Sequence, residues 1–208
     1  MANTIHPTAF VSPKAELGDN VVIGPCAQID DNVIIGDGTR IDGFATVRPS
    51  TKLGRHNPIY SSAMVGEVPQ DLKFAGEVTW LEIGDNNRIR EFSTLHRGTE
   101  GGGGVTRIGD NGLFMAYIHV AHDCQVGSNV VMSNNATLAG HVEVGDNAII
   151  GGLSAIHQFV RIGQNAFVGG MPGLAMDFPP YMLASGEPSG IHRPHAVGLR
   201  RLRPPTEN

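Results

Sequence analysis

The chain has 208 residues, 28 of them glycine, with 6% aromatic and 17% charged side chains. That length suits one domain, and that composition suits a turn-dense β structure rather than a helical bundle. The formal net charge of −5 argues against nucleic acid as a partner. The two cysteines, Cys26 and Cys124, lie far apart without CxxC spacing, and they read as reduced thiols of a cytoplasmic protein. The opening stretch lacks the basic-then-apolar pattern of a signal peptide, and no apolar run is long enough to span a membrane.

From the start an apolar residue recurs at every sixth position: Ile5, Val11, Leu17, Ile23, Ile29, Ile35, Ile41, Val47, Leu53, Ile59 and Val65. Period six is neither the helical 3.6 nor the strand period of two. It marks a parallel β-helix of hexapeptides, three to a triangular coil of about eighteen residues. Pro7, Pro13 and Pro25 suit its turns and edges. The first interruption, 66–80, reads GEVPQDLKFAGEVTW and clusters Gln70, Asp71, Lys73 and Glu77. Loops inserted at solenoid corners often carry function. The repeat resumes at Ile83, Ile89 and Leu95. A second interruption, 97–106, reads RGTEGGGGVT; no Gly-Lys-Ser/Thr follows it, so it is not a phosphate-binding P-loop. From Ile108, one residue out of phase, the repeat runs on to Leu174.

In this second half the position four after each apolar residue is small: Cys124, Val130, Ala136, Val142, Ala148, Ser154, Val160 and Ala166. That suits a tight corner, with Gly, Asn and Asp in the intervening turns. Asp177-Phe178-Pro179-Pro180-Tyr181 is expected to end the ladder. The architecture expected is all-β. It is a left-handed parallel β-helix of hexapeptide repeats over 1–180, then a short basic tail, 181–208, with one short helix from about Pro194 to Leu202.

Four histidines are threaded through the repeats: His119, His122, His141 and His157. His122 and His141 are nineteen positions apart and His141 and His157 sixteen, so all three fall near one edge on consecutive coils. Asp123 follows His122 and can orient and strengthen an imidazole base. Gly140 offers a backbone N–H at a corner near that level, suited to an oxyanion. The bland alternative is a polar ladder of stacked imidazoles with a turn glycine. A rival use is a zinc site shared between subunits, as in the gamma-class carbonic anhydrases, but those carry His-x4-His and this chain has His119-x2-His122. No metal and no cofactor are expected. In the tail, Arg193, Arg200, Arg201 and Arg203 are either a phosphate contact or a solvated basic surface.

Several stretches are more specific than a generic repeat. IHPTAFVSPKAELG, GEVPQDLKFAGE, NRIREFSTLHRGT, HVAHDC, NNATLAGHV, AIHQF, VGG and DFPPY resemble the acyl-carrier-protein:UDP-N-acetylglucosamine O-acyltransferase family, which opens lipid A synthesis. The resemblance spans Ile5 to Tyr181. It implies a homotrimer with active sites between neighbouring prisms, and direct acyl transfer from acyl carrier protein to the sugar 3-hydroxyl. It implies His122 as general base, Asp123 as its orienting group and Gly140 as the oxyanion donor. Gln70 and Asp71 would hold the glucosamine unit, and Lys73, His119, His141, His157 and Gln158 would touch substrate. Arg200 and Arg201 would meet the nucleotide. Gly170, with Met171 beside it, would lie in the acyl groove. The chain departs from the family pattern at its end. Members continue into a helical domain where this chain stops at Asn208, and their Asn-x-x-Gly-Leu-Lys/Arg-Arg reads here with His195 in place of Asn. A related acyltransferase with another nucleotide sugar or a coenzyme A donor, and a trimeric binding protein without turnover, stay open at this point.

Overall fold

The computed structural model describes residues 2–185 and 190–201. Nearly every strand is two to four residues long, too short to be stable alone. Stability comes from stacking. Among the described residues the strands form three sheets of eleven, nine and eight members, and consecutive strands of the repeat go to different sheets. The first sheet starts at Thr4–Ile5, the second at Phe10–Val11 and the third at Glu16–Leu17. All pairings within the repeat are parallel. Ile5 pairs with Ile23, Ile23 with Ile41 and Ile41 with Ile59, so each coil takes eighteen residues. Ile59 pairs with Ile89 and Ile89 with Phe114; these two longer coils carry the two interruptions.

The hexapeptide explains itself residue by residue. The sixth-position residue points inward, and Ile23, Ile41, Val65, Leu95, Val120, Leu138 and Ile150 are fully or almost fully buried. Burying such a side chain contributes about 1.5–3 kcal/mol. The small residue four further on is buried too, as at Cys124, Ala136, Ala148 and Ala166. Two after the inward residue, the N–H faces away from the ladder. Pro7, Pro13, Pro25 and Pro49 occupy that position, where a missing donor costs nothing. Three after it, the backbone is left-handed: Asn20 has φ 58°, Phe44 61°, Asp123 61°, His141 62° and Phe159 64°. Asn eases that conformation, while a bulky residue there is strained by about 1–2 kcal/mol. The turn is therefore imposed by the coil, and it takes aromatic and imidazole residues as well as the expected Gly, Asn and Asp.

The ladder does not stop at the two prolines. Phe178 bridges to Ile162, and Met182–Ser185 pairs in parallel with Phe167–Val168. Pro179 and Pro180 sit one and two after the inward Phe178, in the turn, so they break no ladder bond. Gly190–Pro194 then folds back antiparallel on Met182–Ser185, and the helix spans Ala196–Arg201. Among the described residues no helix is long and apolar enough to cross a membrane.

The three corners differ in chemistry. Between the third and first sheets the turns read Gly-Asp-Asn or close to it. Between the first and second sheets stand exposed apolar residues: Phe44, Phe92, Tyr117, Leu153 and Met171. The histidines occupy the corner between the second and third.

Candidate functional site

His122, His141 and His157 follow strands His119–Val120, Thr137–Leu138 and Ala155–Ile156, which are stacked neighbours in the second sheet. They stand two, three and one positions after the inward residue, so a single corner gathers all three on consecutive coils. His96, not singled out from sequence, stands at the same corner one coil below His119, and the two rings meet edge-on at 5.0 Å. His122 and His141 also meet edge-on, at 5.1 Å. Phe159, likewise missed, stacks face to face on His141 at 4.5 Å.

His122 Nδ1 lies 2.8 Å from Asp123 Oδ2. An ionised carboxylate only accepts, so the proton sits on Nδ1 and Nε2 carries the free lone pair. Asp123 is buried and its carboxylate is fully engaged. Thr99 donates to it twice, from its N–H to Oδ1 at 2.7 Å and from its hydroxyl to Oδ2 at 2.7 Å. The Asp123 N–H donates to Thr106 Oγ1 at 2.7 Å. His122, Asp123 and His141 are close enough to suggest a cation site, with ligand atoms within 4.8 Å of one another. The Asp123 carboxylate already accepts three hydrogen bonds, two from Thr99 and one from His122.

Gly140 lies against the His122 ring: an added Cβ would come within 2.5 Å of Cε1 and 2.7 Å of Nε2. Its N–H occupies the outward position of the turn, and no acceptor takes it among the described residues. His119 Nδ1 is 2.8 Å from Thr94 Oγ1. Burial, reinforced by the charges of His96 and His122, pushes the His119 imidazole down to about 4, so it is neutral at working pH. Burial lowers His96 as well.

A cavity of about 430 Å³ opens at this corner. Asp71, Lys73, Ala75 and Glu77 of the first loop line it, with Thr99, Glu100 and Gly101 of the second, and His141 and Phe159. The two interruptions therefore land on the histidine corner, which neither loop's composition revealed. Asp71 Oδ1 accepts the Lys73 N–H at 3.0 Å, and Glu77 accepts the Ala75 N–H at 2.8 Å. Gln70 is exposed and outside this lining, and His157 and Gln158 are exposed on the coil above. Gly170 and Met171 stand at the apolar corner, across the second sheet from His122; Met171 is exposed, with φ 67°. Arg200 lies on the terminal helix, with its Nε bonded to Ala196 O, away from these groups; the Arg201 side chain lies outside the described residues. His195 is buried, with its ring 5.1 Å from Phe167. Cys26 is exposed and Cys124 buried, both free, and burial pushes the Cys124 thiol up to about 12.

No protein-family model matches the chain. The acyl-[acyl-carrier-protein]–UDP-N-acetylglucosamine O-acyltransferase of Aliarcobacter butzleri is 50% identical over 199 residues, 96% of this chain and 76% of that protein. The crystal structure of the UDP-N-acetylglucosamine O-acyltransferase LpxA of Moraxella catarrhalis superposes with a TM-score of 0.95 at 46% identity, covering 97% of this chain and 79% of that one. LpxA of Acinetobacter baumannii gives 0.94 at 45% identity, covering 95% and 76%. The coil is the left-handed β-helix of those structures. On identity, coverage and fold together, this chain belongs to the acyl-carrier-protein:UDP-N-acetylglucosamine O-acyltransferase family.

Proposed function

We propose that this protein moves a 3-hydroxyacyl chain from acyl carrier protein to the 3-position of UDP-N-acetylglucosamine in the cytoplasm, opening lipid A synthesis, by direct transfer. The observation that carries the chemistry is the His122–Asp123 pair with the unclaimed Gly140 N–H against its ring. The acceptor hydroxyl attacks the thioester carbonyl while His122 Nε2 takes its proton. The oxyanion that forms meets the Gly140 N–H. Collapse breaks the carbon–sulfur bond, and the imidazolium returns the proton to the carrier thiolate. A thioester already has a good leaving group, so one base and one oxyanion donor suffice.

Around that centre, Asp71, Lys73 and His141 line a cavity fit for a sugar, and Gln70, His119, His157 and Gln158 are assigned further substrate contacts. Arg200 and Arg201 are assigned to the nucleotide diphosphate. The acyl chain is assigned to the outer face of the second sheet. There the paired outward residues shrink from His119 to Thr137, Ala155 and Gly173, and Gly170 and Met171 flank the far end. A cavity open on one side needs a second wall, and the exposed Phe44, Phe92, Tyr117 and Leu153 favour burial against another copy. The assembly proposed is a homotrimer.

The test is an acyl-transfer assay on purified protein with UDP-N-acetylglucosamine and acyl carriers of graded length. O-acylated sugar nucleotide is the expected product, with long chains preferred and Gly170→Met moving the preference shorter. Turnover with acyl-coenzyme A alone, or none, overturns the reading. Light scattering should give three times the chain mass, and a monomer would remove the assembly.

A further inference from the structure

The glycine-rich second loop has a geometry that its composition hides. Thr99 caps the short 3-10 turn Glu100–Gly102, accepting the Gly102 N–H at its hydroxyl oxygen. Gly102 lies so close to Asp123 that an added Cβ would collide with the carboxylate. Both Thr99 donors go to that carboxylate, one to each oxygen, across twenty-four positions of sequence. Asp123 Oδ2 thus receives the Thr99 hydroxyl and the His122 Nδ1 proton together. Thr99 and Asp123 are both buried, so water does not replace a lost donor.

We infer that Thr99 is a positioning residue for His122: the glycine-rich loop is a clamp that fixes the Asp123 carboxylate and limits how strongly it draws the imidazole proton. The inference rests on the reading of His122 as the base. Its physics is a division of charge. His141 Nε2 stands 3.7 Å from the same oxygen, and an Oδ2 that also accepts the Thr99 hydroxyl holds the His122 imidazolium less tightly than one that does not. Without the hydroxyl, the imidazolium gains stability and His122 becomes harder to deprotonate. Gly102 follows from the same demand, because a loop that delivers two donors to one carboxylate must bring its backbone against it. The other titratable groups around His122 are His141 at its ring edge, His119 on the strand that leads into it and His96 one coil below. Asp71, Lys73, Glu77 and Glu100 line the cavity beside His141.

The experiment compares Thr99→Val, Thr99→Ser and Thr106→Val with the parent chain. It uses the NMR titration of the His122 ring without substrate and the pH dependence of kcat/KM. Thr99→Val should raise the His122 midpoint by about one unit and carry the acidic limb of the rate profile up with it. Near neutral pH, kcat should fall about tenfold while the acceptor KM changes little. Thr99→Ser, which keeps the hydroxyl, should restore both. Thr106→Val frees only the Asp123 backbone and should leave the His122 midpoint in place. An unmoved midpoint in folded Thr99→Val overturns the clamp, as does a Thr99→Ser chain that restores neither the midpoint nor the rate. If Thr99→Val does not fold, Gly102→Ala carries the test, since its Cβ pushes the carboxylate and must also move the midpoint. A midpoint that shifts while the rate limb stays put upholds the clamp and overturns His122 as the base instead.

Discussion

Two corners of the same prism put the same turn to opposite uses. At the Gly-Asp-Asn corner, Gly18, Gly36, Gly54, Gly84, Gly109, Gly127, Gly145 and Gly163 follow the inward residue, and a Cβ on any of them would collide with the next coil. At five of these turns, those of Asp19, Arg55, Asp85, Asp110 and Ser128, the next residue's outward N–H is capped by a side chain of the coil that follows. The Asp19 N–H donates to Asp37 Oδ1 at 2.8 Å, Asp85 to Asp110 at 2.7 Å and Ser128 to Asp146 at 2.7 Å. The third residue's N–H finds the carbonyl of the coil before, as Asn129 does with Asp110 and Asn147 with Ser128. At those turns the backbone donors are spent on neighbouring coils. At the histidine corner the capped position holds His122 or Gly140 instead, and the Gly140 N–H has no acceptor among the described residues. A turn whose donors are spent on its neighbours has none left to offer a ligand.

That contrast can be broken by substitution. The largest effect should come from His122→Ala, with turnover down by about 10² to 10⁴ and the thermal midpoint nearly unchanged. Loss of folding rather than of rate would make this corner scaffold too. The glycines should then split. Gly140→Ala pushes a methyl into the His122 ring, a side chain that can yield. Turnover should fall about tenfold to a hundredfold, since small misplacements of a base are costly. Gly145→Ala meets Gln164 backbone nitrogen at 2.5 Å. Here the coil itself must shift, at about 1–3 kcal/mol, read as a lower urea midpoint with normal specific activity. Equal behaviour of the two alanines would erase the distinction.

Acid should weaken the histidine side selectively. His119 titrates near 4 in the folded chain against an ordinary 6.5. As pH falls below 6.5 the unfolded chain takes up a proton that the folded chain refuses, so stability declines from about 6.5 to about 4 and levels off below. The loss should be on the order of 2 kcal/mol after allowance for partial exposure. His119→Asn should flatten urea midpoints across that window. The smallest effect belongs to the capping ladder. Asp110→Ala strips the Asp85 N–H of its acceptor and should cost about 1 kcal/mol without touching turnover.

Much of this was legible in the chain. The sixfold phase names the buried residues, because each hexapeptide repeats the same local turn and the same inward side chain. Spacing alone aligned His122, His141 and His157, since eighteen residues return the chain to the same corner. The adjacency of His122 and Asp123 was readable for the same local reason. Pro179 and Pro180 misled because a proline's effect depends on which turn position it occupies, and only the coil assigns that position.

The rest was decided by contacts between coils. Nothing in RGTEGGGGVT says that Thr99 holds Asp123, because an insertion leaves the repeat and its landing point is set by what it packs against. His96 and Phe159 are ordinary residues until stacking places one ring under His119 and the other on His141. Gly170 stands at a different corner from the histidines because the coil separates positions one strand apart in sequence phase. The sequence by itself determined the period, the core and the histidine edge, which depend on interactions within a single turn. Only the tertiary structure decided which loops reach that edge and what they hold there, because those bonds join residues twenty or more positions apart.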